Sequence, residues 1–198
     1  MGLKLDYTEG QTPLDEDEKE GLLVRTISTR SELNEFEQQN IEKAVLWTIK
    51  RKFKTDTILS ESFMKELHRK MYADVWKWAG EFRKTNKSIG VDKLQISVEL
   101  RKLIDDCRFW IEKKPFDADE IAVRFKHRIV SIHCFVKGNG RHSRLIADIL
   151  IEHIFKKPVF SWGAVNRVNH DKARETYLKA VKAADTGNYE LLLDFARS

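Results

Sequence analysis

The chain has 198 residues, a length that suits one domain with room for one additional segment. Hydrophobic residues make up 41% and charged residues 34%, a composition that excludes collagen-like, low-complexity and disordered chains. The formal net charge of +5 suits an anionic ligand such as a nucleotide, and it is too small to predict binding to nucleic acid.

Cysteine content and the length of the apolar stretches indicate the compartment in which we expect the protein. Cys107 and Cys134 are too few and too widely separated to predict a disulfide framework or a zinc site. The first twenty or so residues lack the apolar core of a signal peptide. The most apolar stretch, Leu145 to Phe155, contains charged residues and is too short to cross a bilayer. We therefore expect a cytoplasmic protein without a membrane partner.

Helical periodicity dominates the chain after a polar, acidic arm over residues 1–28. Thr29-x-x-Glu32 is a capping box that opens a helix over residues 29–50. The predicted starts of the later helices are, in chain order, Ser60, Ser97, Asp117, Arg141 and Asp171, and a short helix ends the chain. The sequence therefore predicts a mainly α protein whose core domain spans residues 51–198.

The segment Arg83 to Ile96 departs from this helical period. It contains the short apolar runs Ile89-Gly90-Val91 and Leu94-Gln95-Ile96 around turn residues. Such a pattern predicts a β-hairpin or an extended flap between two helices.

Residues 131–144 contain the pattern that suggests chemistry. Helical periodicity stops before His133 and resumes at Leu145, so Gly138-Asn139-Gly140 is predicted to lie at a helix N-terminus. The unpaired N–H groups and the dipole of such a helix end attract anions. Arg141 and Arg144 add donors that suit phosphate oxygens, and His133 is placed to accept a proton. The alternative is a basic helix start beside a buried core histidine.

The same residues resemble the signature of the Fic family, His-Pro-Phe-x-(Asp/Glu)-Gly-Asn-Gly-Arg-x-x-Arg. In residues 133–144, Cys134 replaces the proline and Lys137 replaces the acid, while the other positions match. The resemblance extends over about residues 40–195, including Trp78-Ala79-Gly80 with Arg83, and Asn169, Tyr177 and the segment Ala183 to Tyr189. Residues 32–41 are similar to the Fic subgroup called mobile mystery protein B.

This resemblance implies a Fic fold, a helical bundle with a small β-hairpin flap beside the active-site loop. It also implies transfer of AMP from ATP to a Ser, Thr or Tyr hydroxyl of a target protein. The residues implied in catalysis are His133 as general base, Asn139 and Arg141. The residues implied in nucleotide binding are Lys137, Gly138, Asn139, Gly140, Arg141 and Arg144. The flap residues implied in docking the target by strand pairing are Ile89, Gly90 and Val91.

Lys137 stands where the family has an acid that holds Mg²⁺, and an ammonium group does not bind a cation. We therefore predict no metal site, although the family implies Mg²⁺. Three hypotheses remain open: a nucleotide binder with little activity, attenuated transfer in which Lys137 contacts phosphate directly, or a reaction with another phosphate donor. A catalytically silent interaction module, which binds an antitoxin or a second copy of itself, is the alternative from another class.

A second motif on the first predicted long helix concerns inhibition. Ser31-x-x-x-Glu35 resembles the family's inhibitory motif, with Phe36 in place of its small last residue. The resemblance implies that Glu35 pairs with Arg144 and competes with ATP. The alternative is a solvated glutamate on a charge-rich helix.

Overall fold

A computed structural model describes residues 13–164 and 170–198 of the chain. Its helices are, in chain order, α1 (Glu16–Lys19), α2 (Arg30–Ile49), α3 (Thr55–Ile58), α4 (Glu61–Tyr72), α5 (Ile96–Lys113), α6 (Ala118–Ile132), α7 (Asn139–His153), α8 (His170–Asp185) and α9 (Glu190–Arg197). The predicted mainly α class is confirmed. None of the described helices is long and apolar enough to cross a membrane. Residues 1–12 of the predicted arm, and Asn169, lie outside the described residues.

Local capping chemistry sets where most helices begin. At α2, the Thr29 hydroxyl accepts a hydrogen bond from the Glu32 N–H at 3.3 Å, and the Glu32 carboxylate accepts one from the Thr29 N–H at 2.9 Å. Ser60 and Asp117 cap α4 and α6 as predicted. The prediction that Ser97 caps α5 is wrong, because a 3₁₀ turn already leads the chain into that helix one residue earlier.

The core is built around the packed pair α6 and α7, with α5 and α9 against α6 and with α3 and α4 against α7. Its fully buried apolar residues include Leu67 and Met71 of α4, Phe125 and Ile129 of α6, and Ile146 and Leu150 of α7. Since α6 ends and α7 begins at the two ends of segment 133–138, the packing of this pair fixes both ends of the loop.

The predicted β-hairpin does not form. Residues 83–92 are an irregular loop, called the flap below, and the described part of the chain contains isolated bridges but no strand. The Arg83 guanidinium explains the difference. It donates to the carbonyl of Thr85 at 2.8 Å and to the carbonyl of Val91, so a side chain occupies carbonyls that a hairpin ladder would use.

The described part of the acidic arm contacts the flap through Asp15 and Glu18. The Lys87 ammonium lies 2.6 Å from a Glu18 carboxylate oxygen and 2.8 Å from an Asp15 oxygen. The other Glu18 oxygen accepts a hydrogen bond from the Thr85 hydroxyl at 3.1 Å. Only 4% of the Lys87 side chain is exposed, so solvent screens this ion pair weakly. The arm therefore holds the flap against the body of the protein.

We expect Glu18→Gln to lower the free energy of unfolding by about 1–3 kcal/mol, because Lys87 then stays buried with a weakened partner. Urea denaturation measures the change. The control is Glu16→Gln, whose carboxylate pairs with Lys19 but is 85% exposed, and which should cost about 0.5 kcal/mol or less. Equal destabilisation by both substitutions would contradict the role given to Glu18.

Candidate active site

Two residues with positive φ shape the loop between α6 and α7. His133 ends α6 at φ 57°, and Gly138 precedes α7 at φ 82°. A Cβ at position 138 would overlap the phenol ring of Tyr72, so both the backbone conformation and the available space require glycine there. The first intrahelical hydrogen bond of α7 runs from the His142 N–H to the Gly138 carbonyl at 2.9 Å. The backbone N–H groups before His142 therefore have no partner within the helix. These N–H groups lie where the sequence predicts an anion site.

Asn139 holds the loop closed rather than reaching out of it. Its side-chain oxygen accepts a hydrogen bond from the Phe135 N–H at 2.9 Å, and its side-chain nitrogen donates to the Phe135 carbonyl at 2.8 Å. Asn139 is 2% exposed. The structure therefore uses the Asn139 amide to fix loop shape, whereas the sequence interpretation placed it among the catalytic residues.

His68 of α4 is a loop residue that the sequence analysis missed. Its Nδ1 accepts a hydrogen bond from the Gly80 N–H at 3.0 Å, and its Nε2 donates to the Lys137 carbonyl at 3.0 Å. Its ring stacks on Phe135 with centroids 3.8 Å apart. Burial keeps the pKa of His68 well below its ordinary value, so the ring is neutral and can serve both bonds. His68 and Lys137 are 69 positions apart in the sequence, so no local pattern could reveal this contact.

His133 is held in a buried, neutral form at the end of α6. Its Nδ1 lies 3.2 Å from the Val130 carbonyl. Because a carbonyl only accepts, we assign the proton to Nδ1 and the basic lone pair to Nε2. Burial, the largest effect, lowers the pKa of His133 to about 4, so the imidazole is neutral at pH 7.

The flap reaches this histidine, as the sequence interpretation required. A Cβ on Gly90 would approach the His133 Cβ to 2.6 Å, and the Arg83 Nε donates to the His133 carbonyl at 2.6 Å. The Val91 N–H donates to the Ile132 carbonyl at 3.3 Å, and Ile89 is 47% exposed. The flap therefore lies beside the base, although it is not a hairpin.

A fully buried carboxylate occupies the cationic side of the site. One oxygen of Glu37 on α2 lies 2.6 Å from the Lys137 ammonium, and the other lies 2.6 Å from the Arg141 guanidinium. The indole N–H of Trp76 donates to the first oxygen at 2.7 Å. Burial alone would raise the pKa of Glu37, but the charges of Arg141 and Lys137 outweigh it and lower the pKa.

The prediction that Glu35 pairs with Arg144 is wrong. Ser31 and Glu35 lie on the exposed face of α2, and no ion pair joins Glu35 to Arg144 within the described residues. The buried face of α2 consists of Leu33, Glu37, Asn40, Ala44 and Thr48. Motif spacing selected Glu35, whereas helical periodicity counted from Leu33 places Glu37 inward.

Arg144 lies about one turn beyond Arg141 on α7. Its Nε donates to the Gly140 carbonyl at 3.3 Å, and its guanidinium carbon lies 5.5 Å from the centre of the Tyr177 ring. Gly140 faces open space, since a Cβ there would meet only the Tyr177 hydroxyl at 3.9 Å. Arg144 has no carboxylate partner among the described side chains. The buried Asp148 carboxyl, one turn further along α7, is close enough that Arg144 lowers its pKa, although burial is the larger effect and raises that pKa to about 7.

The site residues do not suit the Mg²⁺ that the Fic resemblance implies. Lys137 offers hydrogen-bond donors rather than oxygen ligands, and its ammonium is bound to Glu37. The described residues contain no cluster of three or more His, Cys, Asp or Glu side chains that could hold a metal. Cys134 is not a reactive thiol, because burial raises its pKa to about 12.

Comparison with known proteins shows what this fold is similar to. The model of the Fic/DOC family matches residues 58–151. The BepC protein of Bartonella tribocorum, solved with bound AMPPNP, superposes with a TM-score of 0.69 at 18% identity, over 92% of this chain and 97% of that one. The N-terminal FIC domain of Bep8 from Bartonella sp. 1-1C gives a TM-score of 0.68 at 16% identity, over 88% and 89%.

A C. elegans protein shares the same core. Fic-1, residues 134–508, superposes with a TM-score of 0.63 at 19% identity, over 80% of this chain and 46% of that one. At these identities the superpositions show the fold, and they confirm the predicted Fic fold. The mobile mystery protein B subgroup stays a prediction. The family match at residues 58–151 includes His133, the whole loop and the start of α7, so this part of the chain is similar to the Fic/DOC family in the segment that forms the site.

Proposed function

We propose that the protein transfers AMP from ATP to a hydroxyl side chain of a target protein. The observation that carries this proposal is the neutral His133 beside the N-terminus of α7, where Arg141 and Arg144 provide positive charge. The AMPPNP bound to the BepC protein supports a nucleoside triphosphate as the donor. The target protein belongs to the proposal only as a class, one that offers a Ser, Thr or Tyr hydroxyl.

In this reaction the Nε2 of His133 takes the proton of the target hydroxyl. The hydroxyl oxygen forms a bond to the α-phosphorus, and the bond from that phosphorus to the bridging oxygen breaks, so pyrophosphate leaves. The N–H groups of α7, Arg141 and Arg144 stabilise the negative charge on the phosphates. The flap at Ile89, Gly90 and Val91 docks the target segment, and Arg83 keeps it in register with His133.

Glu37 attenuates the activity in this proposal. Its carboxylate binds the Lys137 and Arg141 cations at 2.6 Å each, so a phosphate group reaches them only when Glu37 leaves. Lys137 then contacts phosphate as a point charge and supplies part of the positive charge that a metal supplies in other family members.

Glu37→Gln is expected to raise the transfer of label from α-³²P-ATP into proteins of a cell lysate by about tenfold or more, because a neutral amide competes poorly with phosphate for two cations. Glu35→Gln is the matched control on the exposed face of the same helix, and it should leave transfer unchanged. Circular dichroism checks that both variants fold. An equal rise in the two variants, or no rise in Glu37→Gln, would show that Glu37 is not the competing anion.

His133→Ala is expected to reduce this transfer by at least about a hundredfold, the usual contribution of a general base, while ATP binding measured by calorimetry is retained. Parallel reactions with γ-³²P-ATP test the group transferred, and reactions in EDTA test the need for a metal. Label transferred only from γ-³²P-ATP would show that the protein transfers a phosphoryl group and not a nucleotidyl group. If ATP binds but no variant transfers label, Glu37→Gln included, the protein is the silent nucleotide-binding module. The ion pairs of Glu37 are compatible with that function as well.

The His133 imidazole is expected to stay neutral from pH 7.5 down to about pH 5, because its pKa is lowered to about 4, whereas an unperturbed histidine is half protonated near pH 6.5. NMR titration of the histidine C–H signals measures this pKa, with His133→Ala for assignment. Since the unfolded chain binds this proton more readily, His133 also destabilises the fold as the pH drops below about 6.5. A midpoint at or above pH 6 would contradict the buried environment of the base.

A further inference from the structure

Lys126 of α6 is a buried charge that neither the fold nor the proposed reaction uses. The residue is 0% exposed, and its ammonium nitrogen lies 2.8 Å from the Tyr177 hydroxyl. Its other neighbours are the faces of the Tyr177 and Trp162 rings, with centres at 4.4 and 6.0 Å. No carboxylate among the described side chains lies within ion-pair distance of Lys126. A buried ammonium without a counter-ion is costly to maintain.

The surroundings of Lys126 favour its uncharged form. Burial, followed by the positive charge of Arg144 on α7, places the pKa of Lys126 well below its ordinary value. Arg144 is the only charge among the described residues that shifts this pKa. Tyr177 faces Lys126 from α8, and Trp162 faces it from the segment after α7. The Trp162 indole N–H donates to the buried Asp148 carboxyl at 2.9 Å. On the same helix as Lys126, His127 follows, and burial lowers the pKa of its imidazole.

The protonation state of Lys126 decides what the Tyr177 hydroxyl can do. A neutral amine accepts the hydroxyl proton in a hydrogen bond, whereas an ammonium group only donates, so the Tyr177 oxygen must then be the acceptor. In the second case the Tyr177 O–H is released to donate elsewhere, and it makes no other hydrogen bond to the described residues. The hydroxyl faces Gly140 in the first turn of α7, where a Cβ would lie 3.9 Å away.

We propose that Lys126 and Tyr177 form, together with Arg144, a second anion subsite that takes a phosphate group of the donor and binds one proton as it does so. This inference rests on the proposed nucleotide site, since it extends that site along α7. The balance is simple: one proton passes from solvent to the Lys126 amine, and the Tyr177 O–H turns from that amine to a phosphate oxygen. No covalent bond forms or breaks in the subsite.

The distribution of charge favours a polyphosphate as the ligand. Glu37 balances Lys137 and Arg141, whereas neither Arg144 nor Lys126 forms an ion pair with a carboxylate among the described side chains. An acidic group that interacts with Arg144 is Asp148, whose pKa burial raises to about 7 and Arg144 lowers. Protonation of Lys126 adds a second positive charge beside Arg144, and a ligand with more than one negative charge stabilises both. Phosphate binding here does not require Glu37 to leave, because that carboxylate contacts neither Lys126 nor Arg144.

The test is calorimetric titration of the full chain with inorganic pyrophosphate at pH 8 without divalent metal, in two buffers of different ionisation enthalpy. Wild type is expected to bind pyrophosphate, and Lys126→Met is expected to bind it about ten- to a hundredfold more weakly, as befits loss of a charge-assisted hydrogen bond. Wild type should also take up roughly 0.5 to 1 more proton per bound pyrophosphate than Lys126→Met. Tyr177→Phe should lose affinity as well.

The matched control is Lys179→Met, which removes one positive charge from the exposed surface of α8 and should bind within about twofold of wild type. Thermal denaturation separates misfolding from lost binding, because replacing a buried ammonium by methionine should not lower the melting temperature. Equal affinity and proton uptake in wild type and Lys126→Met, or no pyrophosphate binding by wild type, would overturn the subsite. Lys126-dependent pyrophosphate binding without any AMP transfer would overturn only the proposed reaction.

Discussion

The buried carboxylate of Glu37 is the interaction on which the arrangement of the site depends. It contacts Lys137 in the loop, Arg141 in α7 and the Trp76 indole, so one side chain joins α2 to three other parts of the core. A carboxylate with no exposed surface is stable only while its oxygens are paired. Any anion that draws Arg141 or Lys137 away therefore also loosens the hold of α2 on the loop.

Loop shape and loop charge are supplied by different residues. Asn139, His68 and the stacked Phe135 fix the backbone with neutral, buried hydrogen bonds and ring contacts. The ion pairs of Lys137 and Arg141 with Glu37 are added to these neutral contacts and join the loop to α2. This separation suits a site in which one anion must replace another.

The flap is held at two points of opposite chemical character. Arg83 ties its backbone to the carbonyl of His133, while Lys87 anchors it to the acidic arm through Glu18 and Asp15. Because both anchors are side chains, the flap keeps an irregular path and leaves Ile89 partly exposed. The flap is therefore held beside His133 without the ladder of a hairpin.

The features that local sequence determined are those that depend on residues a few positions apart. The caps at Thr29, Ser60 and Asp117, the helix start after Gly138 and the family signature at 133–144 could all be predicted, because a cap or a turn is decided within one helical turn. The positive charges of Lys137, Arg141 and Arg144 around Gly140 could be predicted for the same reason. These features were enough to predict the fold class and the place of the site.

Tertiary structure alone decided which glutamate enters the site, what shape the flap takes and which distant residues complete the loop. The spacing motif selects Glu35, whereas the face of α2 that packs on α4 carries Glu37. His68 and Lys126 carry no local pattern, since their partners lie 69 and 51 residues away. Burial makes these contacts matter, because desolvation and charge separation depend on neighbours in space and not along the chain.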